Sequence, residues 1–314
     1  MALAIVFLIV GFVLLIKGAD FFVDGASSIA GKLKVPSLII GLTVVSMGTS
    51  APEAAVSITS SLQGSNALSL GNVIGSNIFN LLMVVGISSV ILPIFSDSEI
   101  LKRDMPVNIG LTVLLFVLLL DGKLGRIDAA ILLLAFAAYL FILIRSAIKN
   151  KSEGEELKIY SWTKSIIFLV IGLAGVIGGG QLVVNGATTV ATKLGMSETL
   201  IGLTIVAIGT SLPELVTSVI AAKKGNSGIA MGNVVGSCIF NLVFILGLAG
   251  IIKPMASNTE LLIDTGILFG ICLVMFLFAI TGKKTNRTEG ATCVVMYAAY
   301  TAYIIMRAYH IWIF

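Results

Sequence analysis

The sequence predicts an all-α membrane protein: ten transmembrane helices in two inverted five-helix repeats, with broken helices at the midplane. Three observations carry that expectation. Of 314 residues, 57% are hydrophobic and only 11% charged, where soluble domains average about 25% charged. The apolar residues fall into runs long enough to cross a bilayer, which takes about 20 residues. The third observation is a duplication. Glu53 and Glu214 lie 161 residues apart, as do Gly41/Gly202, Thr43/Thr204, Gly71/Gly232, Asn72/Asn233, Ser76/Ser237, Asn80/Asn241 and Pro93/Pro254. One register holds from about residue 25 to 93 without a gap.

Taken in order, the first span is expected over 2–29, with Lys17, Asp20 and Asp24 in its second half. Their three- and four-residue spacing suits a local charged cluster near the membrane interface. No cleavable signal is expected, because the apolar start lacks a basic leader and runs on into helix. Span two covers 36–61 and span three 67–92, separated by a polar turn at 63–66; Pro93 ends the third. A charged link, Asp97 to Asp104, leads to span four (105–120), and Asp121 to Asp128 turns into span five (129–148). Residues 1–148 thus form one repeat, 149–162 a short hydrophilic loop, and 163–314 a second repeat with spans near 163–191, 197–222, 228–252, 260–280 and 290–313.

Five spans per repeat is odd, so the second copy enters the membrane from the opposite side. Inverted repeats of this kind build many secondary transporters. Loops after odd-numbered spans hold fourteen Lys and Arg residues, against five in loops after even-numbered spans and the C-terminal stretch. The richer set is expected to be cytoplasmic, which places both termini outside. Cys238, Cys272 and Cys293 fall in three separate spans without paired spacing, and His310 is the single histidine. Disulfides, zinc chemistry and imidazole catalysis therefore have little material. No GxxxxGK[ST] segment is present, which fits transport driven by an ion gradient, and no resident cofactor, nucleic-acid partner or obligate protein partner is expected.

The chemistry concentrates in Gly48-Thr49-Ser50-Ala51-Pro52-Glu53 and its near copy Gly209-Thr210-Ser211-Leu212-Pro213-Glu214. Each lies inside an apolar run, where an acidic side chain costs roughly 2.5–3.5 kcal/mol on insertion scales. Pro52 and Pro213 supply no N–H to the carbonyls of Gly48 and Gly209, breaking the helix beside the acid. Bare carbonyls, hydroxyls and two carboxylates make an all-oxygen donor set suited to a hard cation. Residues four apart share a helix face. Asn72, Ser76 and Asn80 form one such stripe, and Asn233, Ser237 and Asn241 another; these stripes and the two acids are expected to converge on one cavity. Taken singly, each Ser or Asn is as readily interhelical glue.

Gly-Thr-Ser-x-Pro-Glu followed by Gly-Asn-x-x-Gly-Ser-x-Ile-Phe-Asn, present twice, resembles the alpha repeats of the sodium/calcium exchanger family, in its prokaryotic form without a regulatory domain. The resemblance implies an antiporter carrying Ca²⁺ and Na⁺ through the bilayer of a cell membrane. It implies Glu53 and Glu214 as carboxylates shared between calcium and sodium sites, with the carbonyls of Thr49 and Thr210 completing the calcium site. Ser50, Ser76 and the carbonyl of Ser46 would serve one sodium site, and Ser211, Ser237, Thr210 and the carbonyl of Ala207 the opposite one. Asn80 and Asn241 would line the centre. Some relatives carry Asp at these two positions, including potassium-dependent ones, so potassium co-transport is not expected here. Cys238, opposite its repeat mate Asn77, has no account beyond packing.

Three other functions compete. A cation/proton exchanger needs a glutamate that takes up protons, which burial favours. A channel places acidic rings around an open symmetric pore, whereas here one acid sits in each repeat. An intramembrane enzyme of the aspartyl type needs two carboxylates sharing a proton. Spans one and six, rich in glycine and outside the site motifs, are candidates for the part that moves.

Overall fold

The fold was obtained as a computed structural model that describes residues 2–64, 66–149, 158–195 and 207–308. The described residues form twelve helical segments: α1 (Ala2–Leu33), α2 (Ser37–Thr49), α3 (Ala51–Gln63), α4 (Leu68–Ile91), α5 (Met105–Leu118), α6 (Arg126–Lys149), α7 (Trp162–Lys193), α8 (Ala207–Thr210), α9 (Leu212–Lys223), α10 (Ser227–Ile252), α11 (Thr259–Ile280) and α12 (Arg287–Ala308). Seven are long and apolar enough to cross a bilayer, and α2 with α3, bent by 50°, would make an eighth. Of the other two expected spans, 105–120 is regular helix only over Met105–Leu118, and 197–222 is described only from Ala207 onward.

Burial sorts the helices into a centre and a rim. In α4 and α10, 72% and 78% of the best apolar stretch is buried, against 22% in α6 and 17% in α12. Exposed apolar side chains such as Leu134 and Val295 cover the rim. Water would not tolerate so large an apolar surface, but lipid does. The protein is an all-helical, multi-pass membrane protein.

Prolines end the central helices. Pro93 and Pro254 follow residues of extended backbone, Leu92 and Lys253, because the residue before a proline avoids the helical region. The chain then forms two-residue strands, a small departure from the all-helical expectation. Ile94–Phe95 (β1) pairs antiparallel with Lys284–Thr285 (β4), and Lys123–Leu124 (β2) with Met255–Ala256 (β3). The second pairing is the first displaced by the repeat offset, with the two strands' roles exchanged.

The expected charged link over Asp97 to Asp104 is a second departure. It is helical near its end, with a π turn over Ile100–Asp104. Arg103 makes this possible: it bonds Asp104 at 2.8 Å, Glu99 at 3.1 Å and the Ser146 hydroxyl at 2.6 Å, so the charges satisfy one another at the rim. The charged cluster expected within α1 forms differently too. Lys224, at the end of α9, pairs with Asp20 at 2.7 Å and Asp24 at 2.5 Å, tying α1 to α9.

α1 and α7 lie against each other along most of their length. A Cβ on Gly18 would stand 2.7 Å from the backbone nitrogen of Val176, and one on Gly179 2.6 Å from that of Leu15. Those glycines join α1 to α7, so the close-approach surface lies between the two proposed moving helices and not between them and the centre.

Candidate functional site

Both signature segments break as the prolines dictate, at the serine just before them. Ser50 (φ −82°, ψ 10°) and Ser211 (φ −94°, ψ 7°) leave the helical region, and a new helix starts with proline in its first two positions, where a missing N–H costs nothing. Glu53 and Glu214 therefore sit in the first turns of α3 and α9, where the helix dipole favours negative charge. Both are fully buried.

The two breaks interlock. Ser50 donates to Glu214 Oε1 at 2.8 Å, and Ser211 donates to Glu53 Oε1 at 2.8 Å. The hydroxyl of Thr210 lies next to the Glu53 carboxylate, and those of Thr49 and Ser237 next to that of Glu214. Thr49 also donates to Asn233 Oδ1 at 2.9 Å, and Ser237 to the carbonyl of Ser46 at 3.4 Å. The second carboxylate oxygen of each acid, Oε2, is buried without a partner. Among the described residues no Lys or Arg pairs with either glutamate. A buried carboxylate left this way is expensive unless a cation completes it.

Asn80 opens a π turn, Asn80–Val84, and Asn241 lies in another, Phe240–Ile245. Such turns inside helices recur at functional sites. Both polar atoms of Asn80 and the Oδ1 of Asn241 are buried without partners. The unsatisfied groups thus include two carboxylate oxygens and two carboxamide oxygens, which suit a hard cation. No cluster of three or more His, Cys, Asp or Glu side chains occurs among the described residues. Neutral oxygens would have to supply the rest of any coordination shell.

Not every expected residue joins this set. Ser76 is buried on α4, and no bond ties it to the acids. Ala207 opens α8, with its side chain outside the described residues. The expected stripe through Asn72 divides. Its amide donates to Ser57 Oγ at 2.9 Å and to the carbonyl of Glu53 at 3.3 Å. Asn233 does the same to Ser218 Oγ and the Glu214 carbonyl, at the same two distances. These asparagines brace the turn that carries each acid. Ser57 and Ser218, their partners, had no sequence signal beyond a recurring serine four residues after each glutamate.

The description "Sodium/calcium exchanger protein" belongs to a family model that matches residues 3–145 and again 164–306. The chain belongs to the sodium/calcium exchanger family. It is 40% identical over 313 residues to the putative antiporter CaxA of Alkalimonas amylolytica, covering 96% of this chain and 98% of the relative. It is 34% identical to the sodium/calcium exchanger MaX1 of Methanosarcina acetivorans, covering 93% and 96%. Among solved structures it resembles the sodium-calcium exchanger NCX_Mj, with TM-score 0.85, 33% identity, and coverage of 96% and 99%. This family member is an antiporter of the calcium and sodium transport class, and its family is one of ion exchangers.

Proposed function

We propose that this antiporter exchanges Na⁺ for Ca²⁺ by alternating access, at a site shared between two inverted repeats. The observation that carries the reading is the pair of fully buried acids, each with one oxygen held by a serine of the other repeat and one oxygen free. Two formal charges are balanced by one Ca²⁺ or by two Na⁺, so the two loads compete for the same oxygens. A third Na⁺ would make each cycle electrogenic. The bridging oxygens are those of Glu53 and Glu214, with the Thr49 and Thr210 carbonyls beside calcium. Ser46, Ser50 and Ser76 flank one sodium position, Ala207, Thr210, Ser211 and Ser237 the other, and Asn80 and Asn241 the centre.

The repeats in this reading are residues 1–148 and 163–314, ten spans in all, joined by a cytoplasmic loop, with both termini outside. Support comes from the two separate matches of one family model and from strand pairings that recur at the repeat offset. Opening and closing of the site is assigned to α1 and α7 moving together, since glycine contacts bind them to each other.

Uptake of ⁴⁵Ca²⁺ into proteoliposomes tests the reading. Loading with Na⁺ inside is expected to drive uptake, whereas K⁺ loading or an imposed pH gradient is not. Uptake driven by the pH gradient alone would replace Na⁺ with H⁺ as the counter-ion.

A further inference from the structure

Asn77 and Cys238 occupy equivalent positions in the two repeats and face each other at the centre of the molecule, both fully buried. Asn77 Nδ2 donates to the backbone carbonyl of Cys238 at 3.0 Å, and Cys238 Sγ lies 3.9 Å from the backbone carbonyl of Asn77. The remaining end of the Asn77 amide, Oδ1, accepts from Asn241 Nδ2 at 3.0 Å.

These contacts fix a direction. A backbone carbonyl only accepts, so the Asn77 amide must turn its nitrogen to Cys238. Its oxygen then faces Asn241, which must answer with its own nitrogen. Asn241 is left with Oδ1 free, and that atom is buried without a partner. Asn80 has no such brace. The side chain in the position equivalent to Asn77 is Cys238, whose thiol is only a weak donor and weak acceptor and lies against the Asn77 carbonyl, and both polar atoms of Asn80 are unpartnered.

The geometry points to Asn77 as the positioning residue that commits Asn241 to present its carboxamide oxygen to the transported cation, while Asn80 stays free to present either end. The inference rests on the reading that Asn241 lines the cation site. A cation accepts only the oxygen end of an amide. Without Asn77, that orientation leaves the Asn241 nitrogen buried and unpaired, a penalty that appears directly in affinity. Held by Asn77, the oxygen is preorganised and binding does not bear the cost of turning it. The two central amides, equivalent in sequence, are therefore unequal ligands: one fixed, one adaptable.

The test uses the full-length protein, with KM and kcat for ⁴⁵Ca²⁺ uptake measured separately and monodispersity confirmed for each variant. Asn77→Leu keeps the branched side-chain shape and removes both bonds; a rise of about tenfold in KM, larger than any fall in kcat, is expected. Adding Cys238→Asn to Asn77→Leu supplies a carboxamide on the opposite repeat, able to brace Asn80, and is expected to recover most of the affinity. An unchanged KM in Asn77→Leu overturns the inference, as does a loss that the double variant does not recover, which would mark Asn77 as packing. Asn241→Ala separates the two levels of the argument. If it leaves KM unchanged, the ligand role of Asn241 fails; if it raises KM while Asn77→Leu does not, only the positioning role fails. Should Asn77→Leu not fold, Cys238→Asn alone decides: a lower KM supports the brace, and an unchanged or higher one overturns it.

Discussion

At the scale of single residues, the proposed site depends on two carboxylates that no Lys or Arg among the described residues pairs with. Replacing Glu53 or Glu214 with Gln preserves shape but leaves one charge for a divalent ion. Either variant is expected to insert and remain monodisperse, because an unpaired buried charge has been removed, yet to show no sodium-dependent ⁴⁵Ca²⁺ uptake. Flux above background in either would move the site elsewhere. Ser50→Ala is milder. It deletes a 2.8 Å bond to Glu214, of the charged kind that contributes about 1.5–3 kcal/mol, and a rise in calcium KM of at least about tenfold is expected. The acids were legible in the sequence because a carboxylate beside a proline stands out in an apolar run. The braces were not. Asn72 shares a helix face with Ser76 and Asn80, and spacing cannot reveal that its amide reaches sideways to Ser57 instead. Asn77 lies off that face altogether, so periodicity gave no reason to single it out.

At the scale of elements, the breaks follow from proline, while the joins follow from glycine and from charge. Gly18→Leu would drive a side chain into the backbone of Val176, where no rotamer change relieves the clash. A stability loss of about 1–3 kcal/mol, typical of overpacking, is expected, read as a lower melting midpoint in detergent. An unchanged midpoint would mean that α1 and α7 separate easily. The Lys224 tie to Asp20 and Asp24 is half exposed and contributes little to stability, but it joins α1 to a helix of the site. Cysteines at Asp24 and Lys224, bridged by a short thiol-specific linker that reduction can release, are expected to halt transport until reduced while calcium binding persists. Full exchange by the bridged protein would place the moving element elsewhere. The rim of each repeat has its own join. Positions 103 and 146 meet as Arg and Ser, and their equivalents 264 and 307 meet as Asp and Arg. The contact persists while the arginine changes sides and its partner changes from a hydroxyl to a carboxylate, so identity at matching positions is lost although the join is kept.

At the scale of the whole molecule, composition announced the bilayer and the constant offset announced the duplication, because both are sums over many residues. What stayed hidden was local and cooperative. Two-residue strands carry too few side chains for any alternation to show. The helical stretch before α5 depends on Arg103 reaching its neighbour Asp104, Glu99 four residues back and a serine on another helix. Orientation remains the test of the global reading. A cysteine at Lys151 is expected to react with an impermeant thiol reagent only from the cytoplasmic side, and one at Gly64 only from outside. Labelling of both from one face would contradict inverted repeats.

The crossed bonds from Ser50 to Glu214 and from Ser211 to Glu53 carry one more consequence. Each acid takes its 2.8 Å hydroxyl bond from a serine of the other repeat, so in the proposed reading neither repeat contains a finished site and assembly of the two completes it. Covalent linkage between the repeats then raises their mutual concentration without contributing a ligand. Separate polypeptides ending at residue 149 and starting at residue 158 should each bind no calcium alone, and should recover binding when expressed together in one membrane. Ion binding in this protein is then expected to behave like the pairing of two subunits that happen to share a chain.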